Sequence, residues 1–363
     1  MTYNDSSADL IADSITNLIA DSFSDRLLAW WRVHGRHDLP WQLQRTPYRV
    51  WVSEIMLQQT QVRTVIPYFH RFTERFPGLR SLADAELDDV LSLWTGLGYY
   101  ARARNLHAAA KICATDYGGE LPASPELLLA LPGIGRSTAN AIYAQAWNRR
   151  APILDGNVKR ALSRHAAIEG WPGRSVVEKS LWQEAEARTP DDHAADFTQA
   201  IMDLGAKLCT SRSPRCDQCP VSQDCQARIE GRIDEFPGKK PKANRPDRRA
   251  RFLVLRNEAD QVLLIQRPPS GIWGGLWCFP EQQENTGSSI SATQITNARP
   301  TLPPIDHEFS HFRLSMQFLH QEARQSSLVE DENNARWFSV KQALTLGLPR
   351  PIQLVLARIL NNP

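Results

Sequence analysis

Apolar residues recur at helical spacing through most of the first 230 positions of this 363-residue chain. Thr46-Pro47 is typical of an N-cap followed by proline at the first helical position, and apolar side chains follow it at every third or fourth residue. Pro67 is expected to interrupt or kink this run. The same spacing predicts further helices over 86–95, 100–114, 125–131, 136–146, 156–167, 176–187 and 194–208.

The pattern changes after residue 250. The apolar runs 252–255 and 262–265 predict two buried strands joined by a polar turn, strand-like segments recur at 312–319 and 335–338, and a helix is expected over 350–360. We therefore predict an all-α domain over 26–230, a basic linker over 231–249 and an α/β domain over 250–363. Residues 1–25, rich in Ser, Asp and Ala, are expected to form a flexible acidic extension, with ordered structure beginning near Phe23.

The charge of the chain is unevenly distributed. The formal net charge is +2, but residues 1–25 carry −5, the remainder carries +7, and the segment 239–251 alone carries +6. This asymmetry indicates either a polyanionic partner or a solvated tail joined to a charged linker. No apolar run approaches the roughly 18 residues of a membrane helix, and no basic start precedes an apolar block, so we expect a cytoplasmic protein without a membrane partner.

Four of the six cysteines fall within residues 209–225, as Cys209-x6-Cys216-x2-Cys219-x5-Cys225. A disulfide framework is not expected without an export signal. Four thiolates in one short loop can bind a tetrahedral zinc ion or an iron–sulfur cluster, and the spacing alone leaves both open. The two isolated cysteines, Cys113 and Cys278, are interpreted as core residues.

A glycine hairpin lies between two predicted helices, in Leu131-Pro132-Gly133-Ile134-Gly135. Gly133 and Gly135 allow a tight turn whose amides, at a helix N-terminus, suit an anion such as a DNA phosphate. A plain helix–helix turn has the same pattern. Asp155-Gly156-Asn157 follows about twenty residues later and places an acid at a helix start, where N-capping and catalysis are compatible roles.

Together these motifs resemble the helix-hairpin-helix DNA glycosylases of the endonuclease III superfamily, and within it the MutY-type adenine DNA glycosylases. The segments that carry the closer resemblance are WVSEIMLQQTQ at 51–61, LWTGLGYYAR at 93–102, PILDGN at 152–157 and FSH at 309–311. The resemblance covers residues 26–363. It implies an all-α helix-hairpin-helix glycosylase domain followed by an α/β Nudix-like domain. It also implies a [4Fe-4S] cluster bound by Cys209, Cys216, Cys219 and Cys225.

Breaking an N-glycosidic bond requires protonation of the leaving base and stabilisation of an oxocarbenium-like sugar. Glu54 lies among apolar residues that can raise its pKa and keep it protonated, although a solvent-facing helix position is the alternative. Asp155 is expected to remain ionised at its polar helix start. The resemblance implies that Glu54 protonates adenine and that Asp155 stabilises the oxocarbenium ion, and we group Ser137 and Asn157 with them as catalytic residues.

Ser137 also bears on the type of glycosylase. In related enzymes that cut the DNA strand as well, the position two residues after the second hairpin glycine holds a lysine that forms a Schiff base. Ser137 has no amine. The resemblance therefore implies a monofunctional glycosylase with weak or absent lyase activity.

A base inside duplex DNA must be flipped out before it is removed, and the gap must be filled. The resemblance implies that Gln58, Gln59, Thr60 and Tyr99 are wedge or intercalating residues, that Leu97 and Thr60 lie near the opposing base, and that Trp41 and Gln199 line the adenine pocket. Packing is the alternative role of Tyr99. Arg102, Arg104, Lys159 and Arg160 are interpreted as phosphate contacts or as a solvated basic face.

The C-terminal domain resembles a Nudix fold without its hydrolase site. Between Pro280 and residue 300 only Glu281 and Glu284 are acidic, and no Arg-Glu-x-x-Glu-Glu pattern is present to hold magnesium. Phe309, Ser310 and His311 match the loop by which the family recognises 8-oxoguanine. A β-hairpin turn without DNA contact is the alternative.

These inferences predict a monomeric DNA repair enzyme that removes adenine opposite 8-oxoguanine or guanine in double-stranded DNA. A pyrimidine glycosylase and lyase of the endonuclease III type is the first alternative, and Ser137 argues against it. A non-catalytic protein that binds damaged DNA is the second, and the presence of both Glu54 and Asp155 argues against that.

Overall fold

The computed structural model describes residues 22–241, 244–282, 299–300, 303–309, 311–322 and 334–361. Most of the predicted acidic extension lies outside these residues. The chain divides into two compact units, the first formed by Met1–Thr73 with Ile112–Pro241 and the second by Glu74–Lys111 with Lys242–Pro363. Residues 74–111, which the sequence pattern groups with the helical domain, thus cluster with the C-terminal sheet.

The helical part of the chain follows the predicted segments closely. Its helices are α1 (Phe23–His34), α2 (Pro40–Leu43), α3 (Pro47–Leu57), α4 (Val62–Arg75), α5 (Leu79–Ala83), α6 (Leu87–Trp94), α7 (Ala101–Asp116), α8 (Pro125–Leu129), α9 (Arg136–Trp147), α10 (Gly156–His165), α11 (Ser175–Arg188), α12 (Ala194–Asp203) and α13 (Gln226–Ile229). A π-helical turn, Leu204–Leu208, continues α12, and 3₁₀ turns form at Cys216–Gln218 and Ile233–Glu235.

Side-chain caps set the starts of the two helices that matter most for the site. The Thr46 hydroxyl accepts a hydrogen bond from the Arg49 amide at 3.3 Å, with Pro47 as the first residue of α3. The Asp155 carboxylate caps α10 in the same way. Both caps satisfy amides that the helix itself leaves without partners, as the sequence predicts.

Pro67 does not interrupt a helix, so that form of the prediction is wrong, and the helical run breaks earlier instead. The helical run ends at Leu57, and Pro67 lies inside α4. Gln59 adopts the left-handed conformation, with φ of 57°, which an α-helix cannot continue through. Pro67 removes a single helical hydrogen bond, whereas α4 buries a complete apolar stripe that includes Val65 and Phe69, so packing outweighs that loss.

The hydrophobic core of unit 1 packs against the first two turns of α10. Apolar side chains from α1, α10, α11 and α12 form one buried cluster, which includes Leu27, Leu28, Val158, Leu162, Leu181, Phe197 and Ile201. Burial of each such side chain contributes roughly 1.5–3 kcal/mol. Because Val158 and Leu162 belong to the first two turns of α10, this cluster holds the helix that carries Asp155 at its N-terminus.

Unit 2 contains one eight-stranded mixed sheet. Its strands are β1 (Asp247–Arg256), β2 (Gln261–Gln266), β3 (Trp277–Cys278), β4 (Glu281–Gln282), β5 (Arg299–Pro300), β6 (Ile305–Glu308), β7 (Arg313–Glu322) and β8 (Ala335–Ser339). The main order is β3-β2-β1-β7-β5, with β4 paired to β1, β6 to β7 and β8 to β2. Helices α14 (Val340–Ala343) and α15 (Arg350–Asn361) follow.

The central pair of strands explains the apolar run at 252–255. β1 and β7 are parallel, in register from Asp247 opposite Arg313 to Arg256 opposite Glu322. All four residues of the run are buried, as expected for a central strand covered on both faces. β1 also begins within the predicted linker, because the exposed first residues of β1 pair through backbone hydrogen bonds that need no apolar side chain.

Two smaller expectations concern single residues and the membrane. Cys113 and Cys278 are buried, which confirms their interpretation as core residues. Among the helices that the structure describes, none has the length and hydropathy of a membrane-crossing segment.

Candidate active site and cluster loop

An open cavity of about 980 Å³ lies within unit 1, where the end of α3, the start of α9 and the start of α10 meet. The four predicted catalytic residues, Glu54, Ser137, Asp155 and Asn157, all line it. The predicted wedge residues at 58–60 line it as well. Three segments that are far apart in sequence therefore contribute to one site.

Glu54 projects from α3 toward this cavity and is half-buried rather than solvent-facing. Its neighbours Ile55 and Met56 are buried in the core. Burial raises the pKa of Glu54 from 4.5 to about 7, the hydrogen bond from Gln145 lowers it, and the negative charge of Asp155 raises it. A carboxyl with this pKa retains its proton in a substantial fraction of molecules at neutral pH, as a general acid requires.

Asp155 lines the cavity and is the N-cap residue of α10. Its Oδ1 accepts a hydrogen bond from the Val158 amide at 2.7 Å. Burial raises the pKa of Asp155 above its ordinary 3.8, whereas the amides of Val158 and Asn157 and the charges of Arg160 and Lys159 lower it. Two amides and two cationic side chains thus favour the ionised form of Asp155. For Glu54, only the hydrogen bond from Gln145 favours the ionised form.

Ser137 and Asn157 hold the segment around Asp155. The Ser137 hydroxyl accepts a hydrogen bond from the Leu154 amide at 2.9 Å, and Asn157 Oδ1 accepts one from Arg160 Nη2 at 2.9 Å. Gly205 lies so close that a Cβ there would stand 2.6 Å from the Cβ of Asn157. These contacts fix the backbone on both sides of the carboxylate.

The hairpin has the predicted geometry. Gly133 has a φ of 79°, which only glycine adopts readily, and Gly135 is the N-cap of α9. Both glycines are exposed. Gln58 Nε2 lies 3.5 Å from the Gly133 carbonyl oxygen, so the wedge segment adjoins the hairpin.

Trp41 and Gln199 do not line the cavity in this structure. Both are 2% exposed. Trp41 packs edge-on against Phe69, with ring centroids 5.4 Å apart. Gln199 accepts a hydrogen bond from Gln42 Nε2 at 2.7 Å and donates one to Asp203 at 2.8 Å. Their contact with adenine stays a prediction.

Leu97 and Tyr99 belong to unit 2. Leu97 is buried, whereas Tyr99 is 51% exposed and has the left-handed φ of 50°. The Arg102 guanidinium lies 5.5 Å from the centroid of the Tyr99 ring. About half of the Tyr99 side chain is thus exposed on the surface of unit 2, whereas a core packing residue would be buried.

The four basic residues proposed as phosphate contacts all bind within the protein. Arg102 donates to the Gly98 carbonyl oxygen at 3.0 Å, Arg104 to that of Gly274 at 2.6 Å and Arg160 to that of Cys209 at 2.7 Å, and Lys159 pairs with Glu178 at 2.7 Å. Arg102 is also buried. The alternative of a solvated basic face is therefore wrong for Arg102, because its guanidinium satisfies backbone carbonyl groups.

The predicted lesion-reading loop forms the turn between β6 and β7, which pair antiparallel. Ser310 lies outside the described residues. The Phe309 amide donates to the Phe312 carbonyl oxygen at 2.9 Å, and their rings stack at 4.5 Å between centroids. The His311 ring lies 4.7 Å from that of Phe312. Between these two antiparallel strands, the described residues Phe309, His311 and Phe312 thus form a cluster of aromatic rings.

The four clustered cysteines line one cavity in unit 1 together with Arg164. Arg164 Nη1 donates to Cys209 Sγ at 3.4 Å and to the Thr210 carbonyl oxygen at 2.7 Å. Burial, together with the neighbouring cysteines, raises the pKa of Cys219 to about 12, although the Val221 amide lowers it. Ionised, these four thiolates would repel one another, so the loop fits a cationic iron–sulfur core, which would offset their charge together with the Arg164 guanidinium.

Cys219→Ala removes one of these four thiols. We expect iron to fall from about four atoms per chain to nearly none, because each cysteine of a [4Fe-4S] site is one of its ligands. Iron analysis and the visible absorbance of the purified protein measure this. Cys278→Ala, a buried cysteine in unit 2, is the control and is expected to keep its iron. Full iron content in Cys219→Ala contradicts the ligand assignment.

Some residues of the site carry no recognisable sequence signal. Gln145 on α9 donates from Nε2 to Glu54 Oε1 at 2.7 Å, and Gln42 donates to Gln145 Oε1 at 2.8 Å. In the folded chain Gln145 is 3% exposed and occupies the buried face of α9 beside Ala141 and Ala144. Nothing in its spacing connects it to Glu54.

Sequence profiles of known families match three segments of the chain. The HhH-GPD superfamily of base excision DNA repair proteins matches residues 52–187. The iron-sulfur binding domain of endonuclease III matches residues 209–225, and the NUDIX domain matches residues 251–358. These ranges correspond to the helical site, the cysteine loop and the sheet.

Relatives extend the similarity along nearly the whole chain. The adenine DNA glycosylase of Buchnera aphidicola subsp. Acyrthosiphon pisum is 40% identical over 344 residues, which cover 94% of this chain and 98% of the relative. The adenine DNA glycosylase of Homo sapiens is 32% identical over 400 residues, covering 92% and 73%. The structure of a thermostable thymine-DNA glycosylase matches with a TM-score of 0.52 and 27% identity, covering 59% of this chain and 99% of that one.

The family resemblance predicted from the motifs is confirmed by these matches. The cysteine loop coincides with the iron-sulfur binding domain, so the cofactor is a [4Fe-4S] cluster. Because relatives of 40% and 32% identity match 94% and 92% of it, the chain belongs to the adenine DNA glycosylase family and is an adenine N-glycosylase of base excision repair.

Proposed function

We propose that this enzyme flips adenine from duplex DNA into the 980 Å³ cavity and removes it by hydrolysis, with Glu54 as general acid and Asp155 as the stabilising anion. The observation that supports this most strongly is that two carboxyl groups share one cavity but have different surroundings. Apolar burial brings the pKa of Glu54 to about 7. Asp155 accepts hydrogen bonds from helix amides and lies near Arg160 and Lys159. Such a pair separates acid and anion roles.

The chemistry follows from these two environments. Protonated Glu54 transfers its proton to a ring nitrogen of adenine, so that the base leaves as a neutral molecule. The sugar becomes positively charged as the glycosidic bond breaks, and ionised Asp155 stabilises that charge. Glu54, now ionised, accepts a proton from the attacking water. We assign the segment 58–60, which lines this cavity, to filling the gap in the duplex. Tyr99, half-exposed on unit 2, is proposed as an intercalating residue.

We further propose that the base opposite adenine is 8-oxoguanine, with guanine as a second substrate partner. The turn between β6 and β7 supports this assignment, because Phe309, His311 and Phe312 cluster aromatic rings there and Arg248 lies 4.5 Å from the Phe312 ring. Aromatic faces and an imidazole N–H group provide stacking and hydrogen bonding for a purine edge.

Release of free adenine before alkali treatment tests this function directly. The duplexes carry adenine opposite 8-oxoguanine, adenine opposite guanine, adenine opposite cytosine, or an oxidised pyrimidine. We expect release from the first two and little from the third. Absence of adenine release from the first duplex overturns the proposal, and excision of the pyrimidine alone supports the endonuclease III type of activity instead.

Borohydride trapping tests the monofunctional assignment. Ser137 offers only a hydroxyl, which accepts from the Leu154 amide, and cannot form a Schiff base with the sugar. We expect no covalent protein–DNA adduct from the natural chain. Ser137→Lys is the matched variant, because it places an amine at the same position on the cavity, and it is expected to yield trapped adduct. Substantial trapping by the natural chain contradicts the assignment.

A further inference from the structure

A continuous series of amide side chains links Glu54 to the ion pair of Arg36 with the buried Asp203. Gln145 Nε2 donates to Glu54 Oε1 at 2.7 Å, and Gln145 Oε1 accepts from Gln42 Nε2 at 2.8 Å. The same Gln42 nitrogen donates to Gln199 Oε1 at 2.7 Å. Gln145 and Gln199 are buried, so water does not replace these bonds readily.

At the far end of this series, Asp203 determines the orientation of the Gln199 amide group. It is fully buried, accepts from Arg36 Nε at 2.7 Å and from Gln199 Nε2 at 2.8 Å, and also accepts from Trp31. A carboxylate paired with an arginine only accepts hydrogen bonds. Gln199 must therefore turn its NH2 group to Asp203 and its carbonyl oxygen to Gln42.

The orientation of each amide group constrains that of its hydrogen-bond partner. The Gln42 NH2 group donates to the carbonyl oxygens of both Gln199 and Gln145, and Gln42 Oε1 accepts from Arg45 Nε at 2.6 Å. With its oxygen engaged by Gln42, Gln145 presents its NH2 group to Glu54. The donor at Glu54 is thus set by Gln42, whose own orientation is fixed both by Arg45 and, through Gln199, by Asp203.

We propose that Gln145 is a positioning residue for Glu54, because its donation to Oε1 confines the transferable proton to Oε2, and that Gln42 holds Gln145 in the donating orientation. The inference rests on the proposed role of Glu54 as general acid. A carboxylic acid donates from one oxygen and accepts at the other, so occupation of Oε1 by an N–H donor selects the oxygen that carries the proton.

The hydrogen bond from Gln145 to Glu54 also affects the pH range over which Glu54 is protonated. A donor favours the ionised carboxylate, so Gln145 lowers the pKa of Glu54, against the raising effects of burial and of Asp155. The other charged groups around this cavity are Arg36, Arg63 and Arg160. Substitution of Gln145 leaves all of these in place, so any shift in the pH profile reports on the lost donor.

Gln145→Met tests the proposal, because methionine has a similar length and no N–H donor. The measurement is the single-turnover rate of adenine release from the duplex with adenine opposite 8-oxoguanine, as a function of pH. The rate of the natural chain should decline as pH rises and Glu54 loses its proton, and the midpoint is the pH at which half of the rate remains. Below that midpoint we expect the rate of the variant to be about tenfold lower, because the acid is less well oriented. We expect the midpoint to rise by about one pH unit, because the ionised form loses its donor.

Gln42→Met provides a second test that leaves Gln145 intact. Gln145 can then turn its carbonyl oxygen toward Glu54, which favours the protonated acid, so this variant is also expected to raise the midpoint. Thr189→Val is the control: its buried hydroxyl donates to the Ala185 carbonyl oxygen at 2.7 Å, and its loss is expected to lower stability without moving the midpoint. Cluster absorbance verifies the folding of each variant.

The outcomes separate the inference from the function on which it rests. An unshifted or lowered midpoint in both Gln145→Met and Gln42→Met overturns the positioning role, whatever their rates. No adenine release by the natural chain, or full activity of Glu54→Gln, overturns the general acid assignment instead. A raised midpoint in both variants, with Thr189→Val unshifted, supports the inference.

Discussion

Glu54→Gln is expected to lower the single-turnover rate of adenine release by about 10²–10⁴-fold. The amide has nearly the shape of the carboxyl group and can still accept the Gln145 hydrogen bond, but it carries no transferable proton. Quantification of free adenine with the enzyme in excess over the duplex measures the chemical step. A rate within about threefold of the natural chain contradicts the general acid role, since this step depends on that proton.

The stability of this variant distinguishes lost chemistry from lost folding. The pKa of Glu54 is raised from 4.5 to about 7 in the folded chain, so the stabilising contribution of the protonated form is fully present below pH 4.5 and is lost as pH rises through about 7. The neutral amide does not undergo this loss. We therefore expect Glu54→Gln to be more stable than the natural chain above pH 7, by about 1 kcal/mol or more, in denaturant unfolding.

The pH profile of the natural chain follows from the same pKa. A general acid acts only when protonated, so the rate is expected to fall as pH rises through about 7. Glu54→Gln, whatever residual rate it keeps, is expected to lack this decline. A decline at the same pH in both proteins assigns it to another group.

Asp155→Asn is expected to reduce the rate of adenine release by about 10²–10³-fold, because the variant loses the negative charge that stabilises the oxocarbenium ion. The amide oxygen can still accept the hydrogen bond from the Val158 amide, as asparagine is as good an N-cap as aspartate. Helix α10 is therefore expected to keep its start. Single-turnover kinetics and thermal unfolding of the same preparation test the two statements together.

Asp155→Ala is the matched comparison, because it removes both the charge and the cap. We expect a similar loss of rate and, in addition, a loss of about 1 kcal/mol in unfolding free energy. Equal stability of the two variants argues against the cap. Retention of more than about a tenth of the natural rate in Asp155→Asn argues against the anionic role, since an electrostatic contribution of the expected size is larger.

Local signals in the sequence were sufficient for the helical elements. Thr46-Pro47 and Asp155 mark helix starts because a side-chain oxygen binds an amide two or three residues later, which requires no distant partner. The hairpin glycines are recognisable because Gly133 takes a φ of 79°, a conformation that side chains disfavour. The break at Gln59 escaped prediction, since a proline inside α4 is a stronger local signal than a glutamine.

Interactions between distant segments were not predictable in this way. The first residues of β1 are polar and exposed, and they form a strand because β7 offers a parallel partner more than sixty residues later. Arg102 and Arg160 look like surface cations in the sequence, yet they bind backbone carbonyl groups in the folded chain. Residue type and spacing do not specify such partners.

The family, the cluster-loop cysteines and the helices that carry Glu54 and Asp155 can be recognised from residue order alone, because they depend on motifs of regular spacing. The environment of each carboxyl group arises only on folding. Glu54 on α3 acquires its raised pKa from burial and its donor from Gln145, about ninety residues away. The orientation of that donor depends on Gln42, which Arg45 and the Gln199–Asp203 pair hold in place, and these residues meet only in the folded chain.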